Sequence, residues 1–188
     1  MEAYNAGQRI FGENKIQEME DKFEEMPKDI EWHMIGHVQR NKVKYMASFV
    51  SLIHGVDSMK LLDEINKQAK KYNRIINCLL QIKIASEESK FGIPPEGVSE
   101  MIESEAFSKL KNIKITGVMG MATFTDDLNL VEKEFKTLKS TFSKLKPLKS
   151  DNCELQTISM GMSGDYKLAV ACGSTMVRVG SSIFGSRI

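Results

Sequence analysis

Several classes of protein are excluded by what this sequence lacks. It has only three cysteines (Cys78, Cys153 and Cys172), an odd number with no C-x-x-C or other metal-ligand spacing. Neither a disulfide framework nor a zinc site is therefore expected, and a reducing compartment is favoured. No apolar run approaches the roughly 18 residues that a membrane span needs. Residues 1–4 also lack the basic and apolar regions of a signal peptide. These absences predict a cytoplasmic protein with no membrane contact.

The chain also lacks an excess of charge of either sign. Its 26 Lys and Arg residues balance 25 Asp and Glu residues, which leaves a formal net charge of +1. A nucleic-acid-binding domain normally shows a basic face or stripe. The lysine-rich stretches here alternate with apolar residues, as expected for the solvated faces of helices. No nucleic-acid partner is predicted.

The size and composition fit one globular domain. The 188 residues are 41% hydrophobic and 27% charged, and no low-complexity linker or internal repeat divides them. A chain of this length forms a single domain with a substantial core. We therefore expect residues 1–188 to form one domain.

Seven short apolar runs are the strand candidates, and several are continuous, as in a parallel sheet covered on both faces. They are Gln8 to Phe11, Trp32 to Ile35, Phe49 to Ile53, Ile75 to Ile84, Ile113 to Met119, Glu154 to Ser159, and Met176 to Val179.

Helical patterns separate these runs. One apolar stripe with spacings of three and four extends from Leu128 to Leu145, with Asp126 and Asp127 at its start. Another helix follows the cap candidates Asp57 and Ser58. This alternation predicts an α/β protein, a (β/α)8 or TIM-type barrel with one strand fewer than the eight that close it.

Ligands of a parallel barrel bind at the carboxyl ends of its strands, so the loops there are the candidate site. Two loops rich in glycine and serine, at residues 159–165 and 179–185, follow the last two strands. Hydroxyl and backbone N–H groups in such loops bind phosphate oxygens. The alternative is that these residues only cap helices and form turns.

Arg178 and three histidines add polar groups near the same ends. Arg178 could contact an anion or a ligand ring nitrogen, or could pair with a neighbouring carboxylate. His33 and His54 are predicted at strand ends, with His37 in the loop beyond, and their spacing matches no metal motif. We interpret His33 as a hydrogen-bonded barrel residue in preference to a general base.

Eight ordered motifs resemble one known family, that of the pyridoxal 5′-phosphate (PLP) homeostasis proteins (YggS/PROSC), and they extend over essentially the whole chain. The motifs are Phe11-Gly12-Glu13-Asn14, Trp32-His33-Met34-Ile35-Gly36, Gln39-Arg40-Asn41-Lys42, Ile53-His54-Gly55-Val56-Asp57-Ser58, Glu88-Ser89-Lys90-Phe91-Gly92, Gly117-Val118-Met119-Gly120-Met121-Ala122-Thr123, Ser159-Met160-Gly161-Met162-Ser163-Gly164-Asp165, and Val177-Arg178-Val179-Gly180-Ser181-Ser182-Ile183-Phe184-Gly185.

The resemblance implies a PLP-binding barrel similar to the N-terminal domain of alanine racemase. Ser163 and the backbone of Gly180 and Ser181 would hold the phosphate, with Ser182 nearby. Arg178 would face the pyridine nitrogen and so disfavour its protonation. The remaining cofactor-binding candidates that the resemblance implies are Asn14 beside the ring and His33 and Met160 lining the pocket.

The family resemblance further implies intracellular buffering or delivery of PLP, with apoenzymes as recipients and a monomeric full-length protein. The alternatives are a PLP-dependent racemase-like enzyme and a scaffold that binds phosphate alone. Racemisation requires a second base that no residue here identifiably supplies. The family's Schiff-base lysine lies on a first strand that would precede Met1, and Lys83 and Lys90 are the substitutes within this chain.

Overall fold

The computed structural model describes residues 1–86 and 91–185. Within them, seven parallel strands lie side by side in chain order, which confirms the predicted α/β class. The strands are β1 (Ile10–Glu13), β2 (Glu31–Met34), β3 (Leu52–Val56), β4 (Ile76–Gln81), β5 (Ile113–Met119), β6 (Cys153–Met162) and β7 (Met176–Arg178).

In the part of the chain that the structure describes, eight α-helices and two 3₁₀ helices occupy the connections between these strands and flank them. The α-helices are α1 (Glu2–Asn5), α2 (Ile16–Glu25), α3 (Met59–Lys71), α4 (Val98–Glu103), α5 (Glu105–Ser108), α6 (Leu128–Leu145), α7 (Tyr166–Ala171) and α8 (Ser181–Phe184). The 3₁₀ helices are Arg40–Tyr45 and Pro95–Gly97.

Both predicted helix starts are capped as expected. The Ser58 side chain accepts a hydrogen bond from the N–H of Leu61 at the start of α3. The Asp127 side chain accepts hydrogen bonds from the N–H groups of Asn129 and Leu130 at the start of α6. These contacts satisfy N–H groups that have no partner inside the helix.

The sheet curls into a nearly closed barrel. His54 on β3 and Ser159 on β6 are three strands apart, which in a flat sheet is about 14 Å at ~4.8 Å per strand. Nδ1 of His54 nevertheless lies 3.0 Å from Oγ of Ser159. The TIM-type barrel is thus confirmed, with seven parallel strands.

The apolar core lies in two places. The larger cluster fills the space between strands and helices and includes Trp32, Leu80, Ile158 and the stripe of α6. The smaller consists of Leu52, Leu79 and Met119, inside the barrel. Among residues 1–86 and 91–185, no helix is long and apolar enough to cross a membrane.

Candidate functional site

The loops after β6 and β7 meet at Ser163. Its Oγ accepts hydrogen bonds from the backbone N–H of Gly180 at 3.1 Å and that of Ser182 at 3.4 Å. The two loops that the sequence singles out are therefore in direct contact. Because one hydroxyl and two N–H groups converge here, the loops can bind an anion with several oxygen atoms.

A tight turn brings Ser163 to this position. The side chain of Asp165 accepts a hydrogen bond from the N–H of Met162 at 2.6 Å. Gly161 has φ +97°, and a Cβ there would lie 2.6 Å from Cβ of Ala169. A glycine is therefore required at this point, for conformation and for the close packing of α7 against β6.

Arg178, at the end of β7, points into the barrel. Its Nη1 donates to Oγ of Ser159 at 2.5 Å and its Nη2 to the carbonyl oxygen of Gly120 at 3.2 Å. Burial lowers its pKa to about 10, while the charge of Asp165 acts in the opposite direction. Arg178 therefore remains a cation at neutral pH. In the described residues it forms no ion pair, so the alternative of a carboxylate salt bridge is not observed.

Two histidines continue this hydrogen-bonded chain across the barrel. Nδ1 of His54 lies 3.0 Å from Oγ of Ser159, and Nε2 of His54 lies 3.2 Å from Nδ1 of His33. Burial lowers the pKa of His33 to about 4. Burial, His33 and Arg178 together hold the pKa of His54 well below its usual value. Both rings are therefore neutral at pH 7.

The position predicted for His54 was wrong. His54 does not follow its strand but lies within β3, which extends to Val56, and its side chain is 1% exposed. A polar histidine followed by glycine is typical of a loop, yet hydrogen bonds to Ser159 and His33 satisfy the ring inside the barrel. His33 is a hydrogen-bonded barrel residue, as predicted.

Methionine and leucine side chains form the apolar part of the interior. Leu52, Leu79 and Met119 are buried, and Met121 and Met176 pack against them partly exposed. Methionine is flexible and polarisable and makes favourable contacts with aromatic rings. The interior therefore offers a flat ligand ring an adaptable apolar surface beside the hydrogen-bonded side chains of Arg178 and Ser159.

The side chain of Met160 packs in the core and not at the pocket-lining position that the family resemblance implies. It follows Ser159, whose side chain faces inward, and successive side chains of a strand point to opposite faces. Met160 is fully buried in the larger core cluster, among the residues between strands and helices.

Asn14 lies just beyond β1 with an exposed side chain. The backbone of Gly36 approaches it so closely that a Cβ on Gly36 would lie 2.3 Å from the carbonyl oxygen of Asn14. Lys83 is half-buried just beyond β4. Lys90 lies outside the described residues.

The sequence analysis did not identify Ser159 as an inward-facing hydrogen-bonding group. It also missed Glu134, which joins the loops after β4 and β5 through hydrogen bonds. Glu134, on α6, is 3% exposed. Its carboxylate accepts hydrogen bonds from the backbone N–H groups of Ser86 and Thr123, at 2.9 Å and 2.7 Å, and from both hydroxyls. An acidic residue within an apolar helical stripe was the available signal.

Within residues 1–86 and 91–185, no cluster of three or more metal-ligating side chains is present.

Residues 1–188 match the family model for the alanine racemase N-terminal domain. The chain is 38% identical, over 187 residues, to the pyridoxal phosphate homeostasis protein of Aquifex aeolicus. That alignment covers 99% of this chain and 80% of the relative.

Solved structures give the same result. PipY of Synechococcus elongatus without PLP superimposes with a TM-score of 0.90 at 33% identity, covering 98% of this chain and 85% of PipY. PipY with PLP bound superimposes with a TM-score of 0.81 at 31% identity and the same coverage. The residues that the sequence singles out therefore lie on a barrel that, in PipY, holds PLP.

Proposed function

This chain belongs to the alanine racemase N-terminal domain family, and from that premise we propose that it binds PLP and acts in PLP homeostasis. One observation carries the proposal: Ser163 Oγ meets the N–H groups of Gly180 and Ser182 on the same side of the barrel as buried Arg178. The hydroxyl and N–H groups at Ser163 can bind a phosphate, while Arg178 and the apolar barrel interior suit an aromatic ring beside it. Together they suit a phosphorylated aromatic ring.

The proposed contacts are those that the family resemblance implies, and the positions of Ser163, Gly180 and Arg178 support them. Ser163 and the backbone of Gly180 and Ser181 bind the phosphate, Arg178 faces the pyridine nitrogen, and Asn14 lies beside the ring. Bound PLP supplies an electrophilic aldehyde and a ring that withdraws electrons strongly only when its nitrogen is protonated. A guanidinium at that nitrogen keeps the proton off it.

We further propose that the chain is a carrier and not a racemase. Arg178 disfavours protonation of the ring nitrogen and so weakens the electron sink that racemisation uses. The interior histidines are poor bases near neutral pH, since their pKa values are lowered by burial. The relative from Aquifex aeolicus is likewise named for homeostasis and not for a reaction.

The proposed setting is the cytoplasm, with PLP-requiring apoenzymes as recipients and the protein acting as a monomer. The free thiols of Cys78, Cys153 and Cys172 suit a reducing compartment. Transfer is tested by mixing the PLP-loaded protein with a PLP-free aminotransferase and following the recovery of transaminase activity. Recovery no faster than with free PLP at the same concentration would contradict delivery.

The binding proposal is tested by an absorbance titration with PLP, followed by borohydride reduction and intact mass. Saturable binding supports a specific PLP site, and binding that does not saturate contradicts it. A reduced adduct shows covalent attachment, and peptide mapping then tests Lys83 and Lys90. Inorganic phosphate that competes with PLP on equal terms would favour a phosphate-binding scaffold.

The racemase alternative has its own assay. The protein is incubated with L-alanine and PLP, and D-alanine is measured over time. Turnover that is lost when PLP is removed would overturn the carrier proposal, whereas no turnover above that of free PLP supports it.

A further inference from the structure

A chain of hydrogen bonds crosses the barrel interior from Arg178 through Ser159 and His54 to His33. The three links measure 2.5 Å, 3.0 Å and 3.2 Å. Ser159 is 0% exposed, His54 1% and His33 6%, so water does not compete freely for these groups. Each proton in such a chain must have a definite place, because an unpaired buried polar group is costly.

The direction of the chain follows from counting donors and acceptors. A guanidinium only donates, so Oγ of Ser159 accepts from Arg178. The hydroxyl proton of Ser159 then needs an acceptor. Within residues 1–86 and 91–185, Nδ1 of His54 is the only atom placed to accept it. His54 must therefore carry its own proton on Nε2 and donate it to Nδ1 of His33.

We propose that this one-way chain leaves the proton of His33 on Nε2, so that His33 presents an N–H donor to a ligand oxygen atom. Ser159 and His54 are then positioning residues, since they fix the orientation of Arg178 at one end and the tautomer of His33 at the other. The neutral state of both rings agrees with this arrangement.

Nε2 of His33 is the far end of this hydrogen-bonded chain. Residues 1–86 and 91–185 provide no hydrogen-bond partner for it. In the β1–β2 register His33 lies opposite Gly12, and the side chain of Ile35 packs next to Gly12, 3.0 Å from where a Cβ on Gly12 would lie. With Arg178 at the other end, both ends of the hydrogen-bonded chain offer donors, so they favour acceptor oxygens over ammonium groups. The inference rests on the proposed function in taking the oxygen to be one of PLP.

The first test uses the ligand-free protein and long-range ¹H–¹⁵N NMR of the histidine rings. We expect His33 and His54 both to carry the proton on Nε2, with neither ring titrating between pH 6 and 8. A proton on Nδ1 of His54 would overturn the proposal, because the chain would then run in the opposite direction. This result does not depend on PLP, so it is distinguishable from a failure of PLP binding.

The second test uses Ser159→Ala, with Ser159→Thr as the conservative variant and Ser143→Ala, on the exposed face of α6, as the control. We expect Ser159→Ala to shift the tautomer balance of His54 and to weaken PLP binding roughly fivefold to tenfold, as for one lost hydrogen bond. Ser159→Thr retains the hydroxyl and should restore both. An unchanged His54 tautomer in Ser159→Ala would contradict the proposed series of hydrogen bonds from Arg178 to His33.

The third test addresses the ligand contact itself. His33→Phe removes the donor, whereas His33→Gln keeps an N–H group at the end of a chain of similar length. We expect His33→Phe to weaken PLP binding about tenfold and His33→Gln to recover part of the loss. Equal affinity for both variants and the wild type would show that His33 donates nothing to the ligand. Circular dichroism checks that each variant is folded.

Discussion

The Oγ atom of Ser163 accepts a hydrogen bond from the N–H of Gly180 at 3.1 Å, joining the loop after β6 to the loop after β7. Ser163 and Gly180 are 17 residues apart in the chain. The hydroxyl lies among N–H groups that also suit a phosphate oxygen. A ligand phosphate would therefore find its donors already oriented, which lowers the cost of binding.

Replacing the Ser163 hydroxyl should weaken PLP binding. Ser163→Ala should reduce the affinity by about 1–1.5 kcal/mol, the contribution of one hydrogen bond to a charged phosphate. An absorbance titration measures the change. Ser143→Ala is the matched control, and an unchanged affinity in Ser163→Ala would contradict the phosphate assignment.

Arg178→Gln should alter the absorbance spectrum of bound PLP. The variant replaces the cation by a neutral amide, so the ring nitrogen becomes easier to protonate and the spectrum becomes more dependent on pH. Some stability should also be lost, because Gly120 and Ser159 lose a charged donor. Spectra identical to the wild type between pH 6 and 9 would place Arg178 away from the ring.

Acid should destabilise the protein through His33. Its pKa is about 4 in the folded protein against 6.5 for an unperturbed ring. Between these pH values the unfolded chain binds more protons, so the free energy of unfolding falls as the pH falls from 6.5 towards 4. The loss is up to about 3 kcal/mol, at ~1.4 kcal/mol per pH unit. Urea unfolding at several pH values measures it.

The matched variant for that measurement is His33→Gln, which has no titratable group at this position. Its free energy of unfolding should depend less steeply on pH between 6.5 and 4 than that of the wild type. If the two slopes are equal, the acid sensitivity arises elsewhere in the protein.

Glu134→Gln should destabilise the loops after β4 and β5. One carboxylate oxygen becomes an NH₂ group facing the N–H donors of Ser86 or Thr123, at a cost of about 2 kcal/mol. Thermal unfolding measures the loss. Glu132→Gln is the control, since the exposed carboxylate of Glu132 pairs with Lys136 and its loss should change the stability by less than ~1 kcal/mol.

Gly36→Ala should disturb Asn14. Its new Cβ would lie 2.3 Å from the carbonyl oxygen of Asn14, so the two loops must separate, at a cost of about 1–3 kcal/mol. Gly97→Ala is the comparison, because nothing lies within 4 Å of its Cβ position and its φ is −87°. That variant should be neutral or stabilised by up to about 1 kcal/mol. Equal effects in thermal unfolding would contradict the role of Gly36.

Local patterns predicted most of the secondary structure, but not all strand ends. The apolar stripe and Asp127 predicted both ends of α6 to within one helical turn. The third strand was predicted at Phe49 to Ile53, yet β3 is Leu52–Val56. A polar histidine and a glycine interrupt its apolar run, and only hydrogen bonds from a distant strand make His54 a buried residue.

Met160 shows a second limit. Its position beside the glycine-rich loop was correct, but the side of the strand it faces depends on the inward direction of Ser159. That direction is set when Ser159 meets Arg178 and His54 across the barrel.

The sequence by itself determined the parallel α/β class, the number of strands and the two loops that carry the anion-binding groups, because these depend on periodicity and on residues adjacent in the chain. Only the tertiary structure decided which side chains share the interior. His54 and Ser159 are 105 residues apart and meet because the sheet curls. Their partners and pKa values follow from burial and distance, which no local pattern encodes.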